Sequence, residues 1–272
     1  MTLHPAAWIG WATCAGVVTF TTTDPFYLGL IVAVAWFVFV AQHVPGPGAR
    51  AFRTFALAGL IAMTIRTALV FLGTVDAEHV AYAALEGARL ATLLVVFGTF
   101  NAVTDPSAVV RLAPRRFHEP ALAAALALSI APRTIAMVGR VREAQQLRGI
   151  HTARWRSLPS LAVPVLATGM EDAITLAESM DARGHGRGRR TRYRPDRWSV
   201  GAVATLVAAL TAAGVFLFAA RSGLGGLQPS TAPLVWPQAD PWLLAVVLLL
   251  AVPGALPRPG PRPGPVPDVR RT

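Results

Sequence analysis

Three shortages define this chain before anything it contains. Cysteine occurs once, at Cys14, which excludes a disulfide framework and a thiolate metal cluster. Lysine is missing altogether: all 25 basic residues are arginine, a bias that in an Ala-rich chain reads as codon usage and carries no function. Charged residues make up 14% of the chain and hydrophobic ones 54%, where an ordinary soluble domain has about a quarter charged. With a positive mean hydropathy, the chain is too poor in charge to cover a globular surface, and a soluble domain is excluded.

The apolar residues come in blocks, near 7–22, 27–41, 53–75, 81–103, 199–220 and 240–256. A bilayer crossing takes about 20 apolar residues, with a range of 17 to 25, so the first, second and last blocks are short and the others sufficient. The expected fold is all-α: a polytopic membrane protein with about four to six transmembrane helices. The first block has no basic residues before it and runs on through Asp24-Pro25 into the second, so it does not read as a cleavable signal.

Charge sets the topology. Sixteen of the 25 arginines lie between Asp105 and Arg197, most densely from Arg187 to Arg197, while the loop at Asp76-Ala77-Glu78 and the stretch from Ser222 to Asp240 have none. Basic loops stay in the cytoplasm. The expectation is a cytoplasmic N-terminus, outside loops near 23–26, 74–80 and 222–240, and a cytoplasmic segment 105–197. The organisation is then 1–104 as N-terminal transmembrane helices, 105–197 as a cytoplasmic region, 198–256 as C-terminal transmembrane helices, and 257–272 as a disordered Pro/Arg tail that also ends inside.

Within the central segment one pattern occurs twice. Glu143-Ala144-Gln145-Gln146-Leu147-Arg148-Gly149 is answered by Glu178-Ser179-Met180-Asp181-Ala182-Arg183-Gly184. Gly just past a helix is the usual left-handed cap, and an arginine there faces the negative end of the helix dipole. Upstream of each copy, apolar residues recur at three- and four-residue steps: Ile130, Thr134, Val138, Val141, Ala144 and Leu147, then Val163, Leu166, Met170, Ala173, Ala177 and Met180. These stripes predict two long amphipathic helices, the second capped by Ser157 before Leu158-Pro159. Leu122–Ile130 has the apolar content of a further crossing, but Arg133, Arg140, Arg142 and Glu143 follow it and do not belong in hydrocarbon unpaired. Val138, Val141, Val163, Leu166, Met170 and Ala173 are too apolar to stay wet, and part of that surface is expected between the two helices.

Other candidates weaken on inspection. Arg66 falls near the middle of its apolar block, with Glu86 and Asp76 as the nearest partners in sequence, and a structural pair is expected there. Arg89 and Glu86 read as an intrahelical pair. His185 lies among glycines, but no strand precedes it and no ligand stands at metal spacing. No Ser-His-Asp or Cys-His set and no Walker motif occurs. A membrane enzyme of lipid or isoprenoid metabolism would rest on Glu171-Asp172 or Glu178/Asp181, neither an Asp-rich metal motif. A membrane-anchored nucleic-acid binder would rest on Arg187–Arg197, a run that lipid attraction and the positive-inside rule already explain.

On these residues the chain resembles the transmembrane T component (EcfT, with its CbiQ-like and BioN-like members) of energy-coupling-factor transporters, a branch of the ABC importers. That family is marked by two Ala-Arg-Gly motifs ending two long cytoplasmic coupling helices. The second is intact here as Ala182-Arg183-Gly184, and the first reads Leu147-Arg148-Gly149. Leu3-His4-Pro5, Thr104-Asp105-Pro106 and the span from Pro120 to Arg190 extend the likeness. The resemblance implies a subunit that is not an enzyme, carries no cofactor or metal, binds no nucleic acid and sits in the cell membrane. It implies docking of Arg148, Gly149, Ala182, Arg183 and Gly184 on two ATP-binding cassette ATPases, with Glu143, Leu147 and Glu178 in support. It also implies that Val138, Val141, Val163, Leu166, Met170 and Ala173 contact a membrane-embedded S component that binds a vitamin or a transition-metal ion.

Overall fold

A computed structural model describes residues 3–42, 47–72, 76–149, 158–184, 198–224, 226–227 and 239–257. The cap at Ser157, the His185 loop, the arginine run from 187 and nearly all of the tail lie outside these residues. Every regular element described is helical: α1 (Pro5–Thr21), α2 (Pro25–Gln42), α3 (Pro47–Ala68, continued by a 3-10 turn Leu69–Leu72), α4 (Ala77–Val103), α5 (Pro106–Val110), α6 (His118–Leu147), α7 (Leu158–Ala182), α8 (Val200–Ser222), α9 (Pro241–Val247) and α10 (Val252–Ala255). The chain is an all-α polytopic membrane protein. Five helical stretches are long and apolar enough to cross a bilayer: Pro25–Gln42, Gly48–Phe71, Ala77–Val103, Glu119–Leu147 and Val200–Ser222. α1 stops at 17 residues, and the block at 240–256 forms a shorter apolar helical stretch, Pro241–Ala255, in which a 3-10 turn joins α9 to α10. The Glu119–Leu147 stretch qualifies by length and mean hydropathy, although the charges of its second half, Arg133, Arg140, Arg142 and Glu143, set it apart from the others.

The chain divides into two compact units, 1–109 with 196–272, and 110–195. In the first, Trp11, Val18, Tyr27, Ile31, Val38, Phe216, Leu243 and Leu250 are fully buried between α1, α2, α8 and α9. Polar ties close both ends of this core. At one end the Thr22 hydroxyl (2.9 Å) and the Thr23 amide (3.0 Å) donate to the Leu227 carbonyl, and the Asp240 amide donates to the Tyr27 hydroxyl at 2.8 Å. At the other, the Trp11 indole donates to the Leu250 carbonyl at 2.8 Å, and the Gln42 amide donates to Pro253 and Leu256 carbonyls. Buried amides and hydroxyls satisfied in this way avoid the cost of orphaned polar groups in an apolar interior.

α3 and α4 form an antiparallel hairpin whose faces touch through glycine. A Cβ on Gly48 would stand 2.6 Å from the Ala102 carbonyl oxygen, one on Gly59 3.1 Å from the Ala91 Cα, and one on Gly87 3.0 Å from the Met63 Cα. The register is therefore continuous from one end to the other. Arg89 reaches the last turn of α1, its guanidinium 4.9 Å from the Phe20 ring centroid. Arg66 lies three residues beyond Met63 toward the hairpin tip, which puts it about 7 Å nearer the tip than Arg89 at 1.5 Å per residue. Arg66 is thus at the rim of the bundle rather than at mid-span. Glu86 pairs with Arg89 at 2.8 Å, Asp76 faces His79 at 3.6 Å, and among the described residues no ion pair reaches Arg66. The Arg89–Glu86 pair is the one the helical spacing predicts, whereas both candidate partners of Arg66, Glu86 and Asp76, face other side chains.

α1 and α8 run parallel: His4 stacks on Trp198 at 4.5 Å between ring centroids, and Gly10 lies against Leu206. α4 runs antiparallel to α1, with Gly16 against Leu93 and Phe20 against Arg89. The end of α4 and the start of α8 therefore lie at the same end of this unit, so the chain leaves and re-enters the bundle on one side.

Candidate functional site

The second unit is built on two long helices, α6 with 30 residues and α7 with 25. At 1.5 Å per residue they are about 45 and 37 Å long. Glu119 occupies the first turn of α6, where a carboxylate meets the positive end of the dipole. Besides a proline in its first turn, each helix has one in its interior, Pro132 and Pro164, and so forgoes one backbone hydrogen bond in its first half. Apart from Glu119, the charged residues and the motif lie beyond those prolines.

The two helix ends have the same construction. The Arg148 amide donates to the Gln145 carbonyl at 3.1 Å and the Gly149 amide to the Gln146 carbonyl at 2.9 Å, with Gly149 at φ 76°. On α7, the Arg183 amide donates to the Ser179 carbonyl at 3.3 Å and the Gly184 amide to the Asp181 carbonyl at 2.8 Å, with Gly184 at φ 74°. A left-handed residue here closes the helix and turns the chain away, and only glycine takes that conformation without cost. Nothing lies within 4 Å of where a Cβ would project from either glycine, so both tips are open. Arg148 and Arg183 are exposed, as are Glu143, Glu178, Leu147 and Ala182, and among the described residues no ion pair engages either arginine. Leu147, which stands where the second motif has Ala182, is 90% exposed. It packs on nothing and leaves an apolar side chain beside Arg148.

The apolar faces divide unequally. On α6, Met137 is buried and Val141 half-buried, while Val138 lies at the margin of exposure. α7 leaves Val163, Leu166 and Met170 at 67%, 65% and 66% exposure, with Ala173 exposed beside them. Ile174 and Ile135 are also exposed and were not among the sequence candidates. Ile174 stands four residues past Met170, so the same helical step reaches it; Ile135 lies next to the drawn stripe, one position off. Met180, at the end of the α7 stripe, is half-buried. Among the described residues, no three of His, Cys, Asp and Glu come together as metal ligands do.

Residues 2–193 match the family described as CbiQ, cobalt transport protein. A relative from Exiguobacterium sibiricum is 31% identical over 113 residues, which cover 39% of this chain and 43% of the relative. One from Streptococcus thermophilus is 31% identical over 112 residues, covering 39% and 42%. Both are described as energy-coupling factor transporter transmembrane protein EcfT. The chain therefore matches less than half the length of either relative.

Proposed function

The chain belongs to the CbiQ cobalt transport protein family, and we propose that it serves there as the transmembrane energy-coupling subunit of an ATP-driven importer of the energy-coupling-factor type. In this reading it catalyses nothing itself. Two ATP-binding cassette ATPases hydrolyse the nucleotide, and a small membrane-embedded S component binds the cargo, a vitamin or a transition-metal ion. The observation that carries the reading is the pair of matched helix ends, each an exposed arginine before a left-handed glycine with open space around it. A guanidinium is a planar fork that pairs with a carboxylate through two bonds, which suits an acidic groove on an ATPase better than a lysine would.

A lever needs a stiff rod, an anchored tip and a load. α6 and α7 supply the rods, Arg148-Gly149 and Ala182-Arg183-Gly184 the tips, and the exposed face of α7 with Val138 and Val141 the seat for the S component. Residues 105–197 form the coupling region, and 1–104 with 198–256 the membrane part, in the plasma membrane. The arginine-dense segment faces the cytoplasm, as do both termini. Departure and return of the chain at one end of the bundle support a segment that stays on one side. The test is affinity purification of the full chain from its own membranes. Two ATPase polypeptides and one small membrane protein are expected with it, and a chain that purifies alone and turns over a lipid substrate would refute the reading.

A further inference from the structure

An apolar groove of about 560 Å³ runs along the outside of the bundle between α1, α4 and α8. Ile9, Thr13, Gly16 and Phe20 form one wall at successive helical turns, and Leu93 and Phe97 the other. Its length, from Ile9 to Thr21, is about 18 Å along the α1 axis. Gly16 makes the floor: a Cβ there would lie 3.9 Å from the Leu93 side chain, in ordinary contact, so the space above it is vacant because the residue is glycine. Both walls are open to the surroundings, with Phe20 66% exposed.

One charged group stands beside the groove at its Phe20 end, where α1 gives way to the turn before α2. The Arg89 guanidinium lies over the Phe20 ring and is held by Glu86 at 2.8 Å and by the Phe20 carbonyl at 3.5 Å. A guanidinium has five N–H groups, and these two contacts leave donors over. The Arg89 Nε is itself buried without a partner among the described residues, so the 20% of the side chain that stays open lies elsewhere on it. A long apolar slot with a guanidinium at one mouth, braced by Glu86 and with N–H donors to spare, has the shape and hydrogen-bonding of a two-part ligand, apolar along its length and a strong acceptor at its end.

We propose that this groove seats an acyl chain of a bilayer phospholipid, with the phosphate end of the lipid on Arg89. The site is distinct from the two helix tips and does not depend on them. The chain lies along Gly16 between Thr13 and Leu93, and the phosphate takes the guanidinium donors that Glu86 leaves unused. Glu86 then acts as the brace that keeps the fork turned to the mouth.

The full chain is purified in mild detergent in the presence of phosphatidylglycerol, washed, and assayed for retained lipid by native mass spectrometry. Wild type should keep one phosphatidylglycerol, Gly16→Leu and Thr13→Phe should lose it by filling the slot, and Arg89→Gln should retain it roughly tenfold less well. Two groove-filling variants are used so that a folding defect in one leaves the other readable by its elution profile. Lipid retained by neither wild type nor variants, or retained alike by all, overturns the proposal. So does loss of the small membrane partner from both groove-filling variants with lipid retention unchanged, which would make the slot a seat for a protein helix.

Discussion

Met63 and Gly87 meet backbone to backbone: a Cβ on Gly87 would stand 3.0 Å from the Met63 Cα. With Gly59 on Ala91 and Gly48 on Ala102, this makes the α3–α4 hairpin a glycine-lined pair, as expected where lipid offers helices no hydrophobic drive to associate and close packing must serve instead. Gly87→Leu should force the helices apart and cost about 1–3 kcal/mol. Gly29→Leu, at a glycine with nothing within 4 Å, should cost nothing. Thermal unfolding in detergent compares them, and equal midpoints for the two variants would remove the close contact from the account.

Asp24 is buried in the turn between α1 and α2, and burial raises its carboxyl above the ordinary range, opposed in part by the Phe26 and Tyr27 amides. An acid whose folded value lies above its unfolded one holds its proton longer when folded. Its contribution to stability is present in acid and is lost as pH rises through the folded value. Asp24→Asn keeps an acceptor for the Phe26 amide and cannot ionise. The variant should therefore gain on wild type as pH is raised from about 4 to 8. A variant that falls behind wild type over that range would mean that the charged form is the stabilised one.

Val163, Leu166 and Met170 form a stripe on α7 that nothing in its own unit covers. Leu166→Glu or Met170→Glu should release the small membrane partner, while the ATPases stay bound through Arg148 and Arg183. A charge in an apolar seat must be desolvated without a partner, which removes most of the affinity. Copurification of each subunit with the variants measures this. Loss of the ATPases with retention of the small partner would mean that the two interfaces are assigned the wrong way round.

The elements legible in the sequence are those set by local pattern. The apolar blocks, the two long helices α6 and α7, and both Arg-Gly ends follow from helical periodicity and from glycine's access to positive φ, while the face α7 half-buries is set by Leu161, Val165 and Leu176 and not by the stripe drawn from Val163. What depends on distant residues was not legible. Arg66 reads as a mid-span charge because its apolar block is centred there, yet the register fixed by Gly59 and Gly87 carries it to the rim. The Arg89–Glu86 pair, three residues apart on one helix, was legible for that reason, but that Arg66 makes no ion pair among the described residues was not. The Thr22–Leu227 and Tyr27–Asp240 ties join segments about two hundred residues apart and have no local signature. The last apolar block forms one short helical stretch, Pro241–Ala255, tightened to a 3-10 turn at Leu248–Ala251.

The claim that the two arginine tips couple this subunit to its ATPases is tested most directly by the double variant Arg148→Ala/Arg183→Ala. Both side chains are exposed, so the fold and membrane insertion should be unchanged. A charge-assisted contact contributes about 1.5–3 kcal/mol, so each single variant should weaken ATPase binding by roughly ten- to a hundredfold. The double variant, reaching the membrane at wild-type level, should recover no ATPase on pull-down and support no uptake. Recovery of the ATPases at wild-type yield by that double variant would contradict the account at its centre.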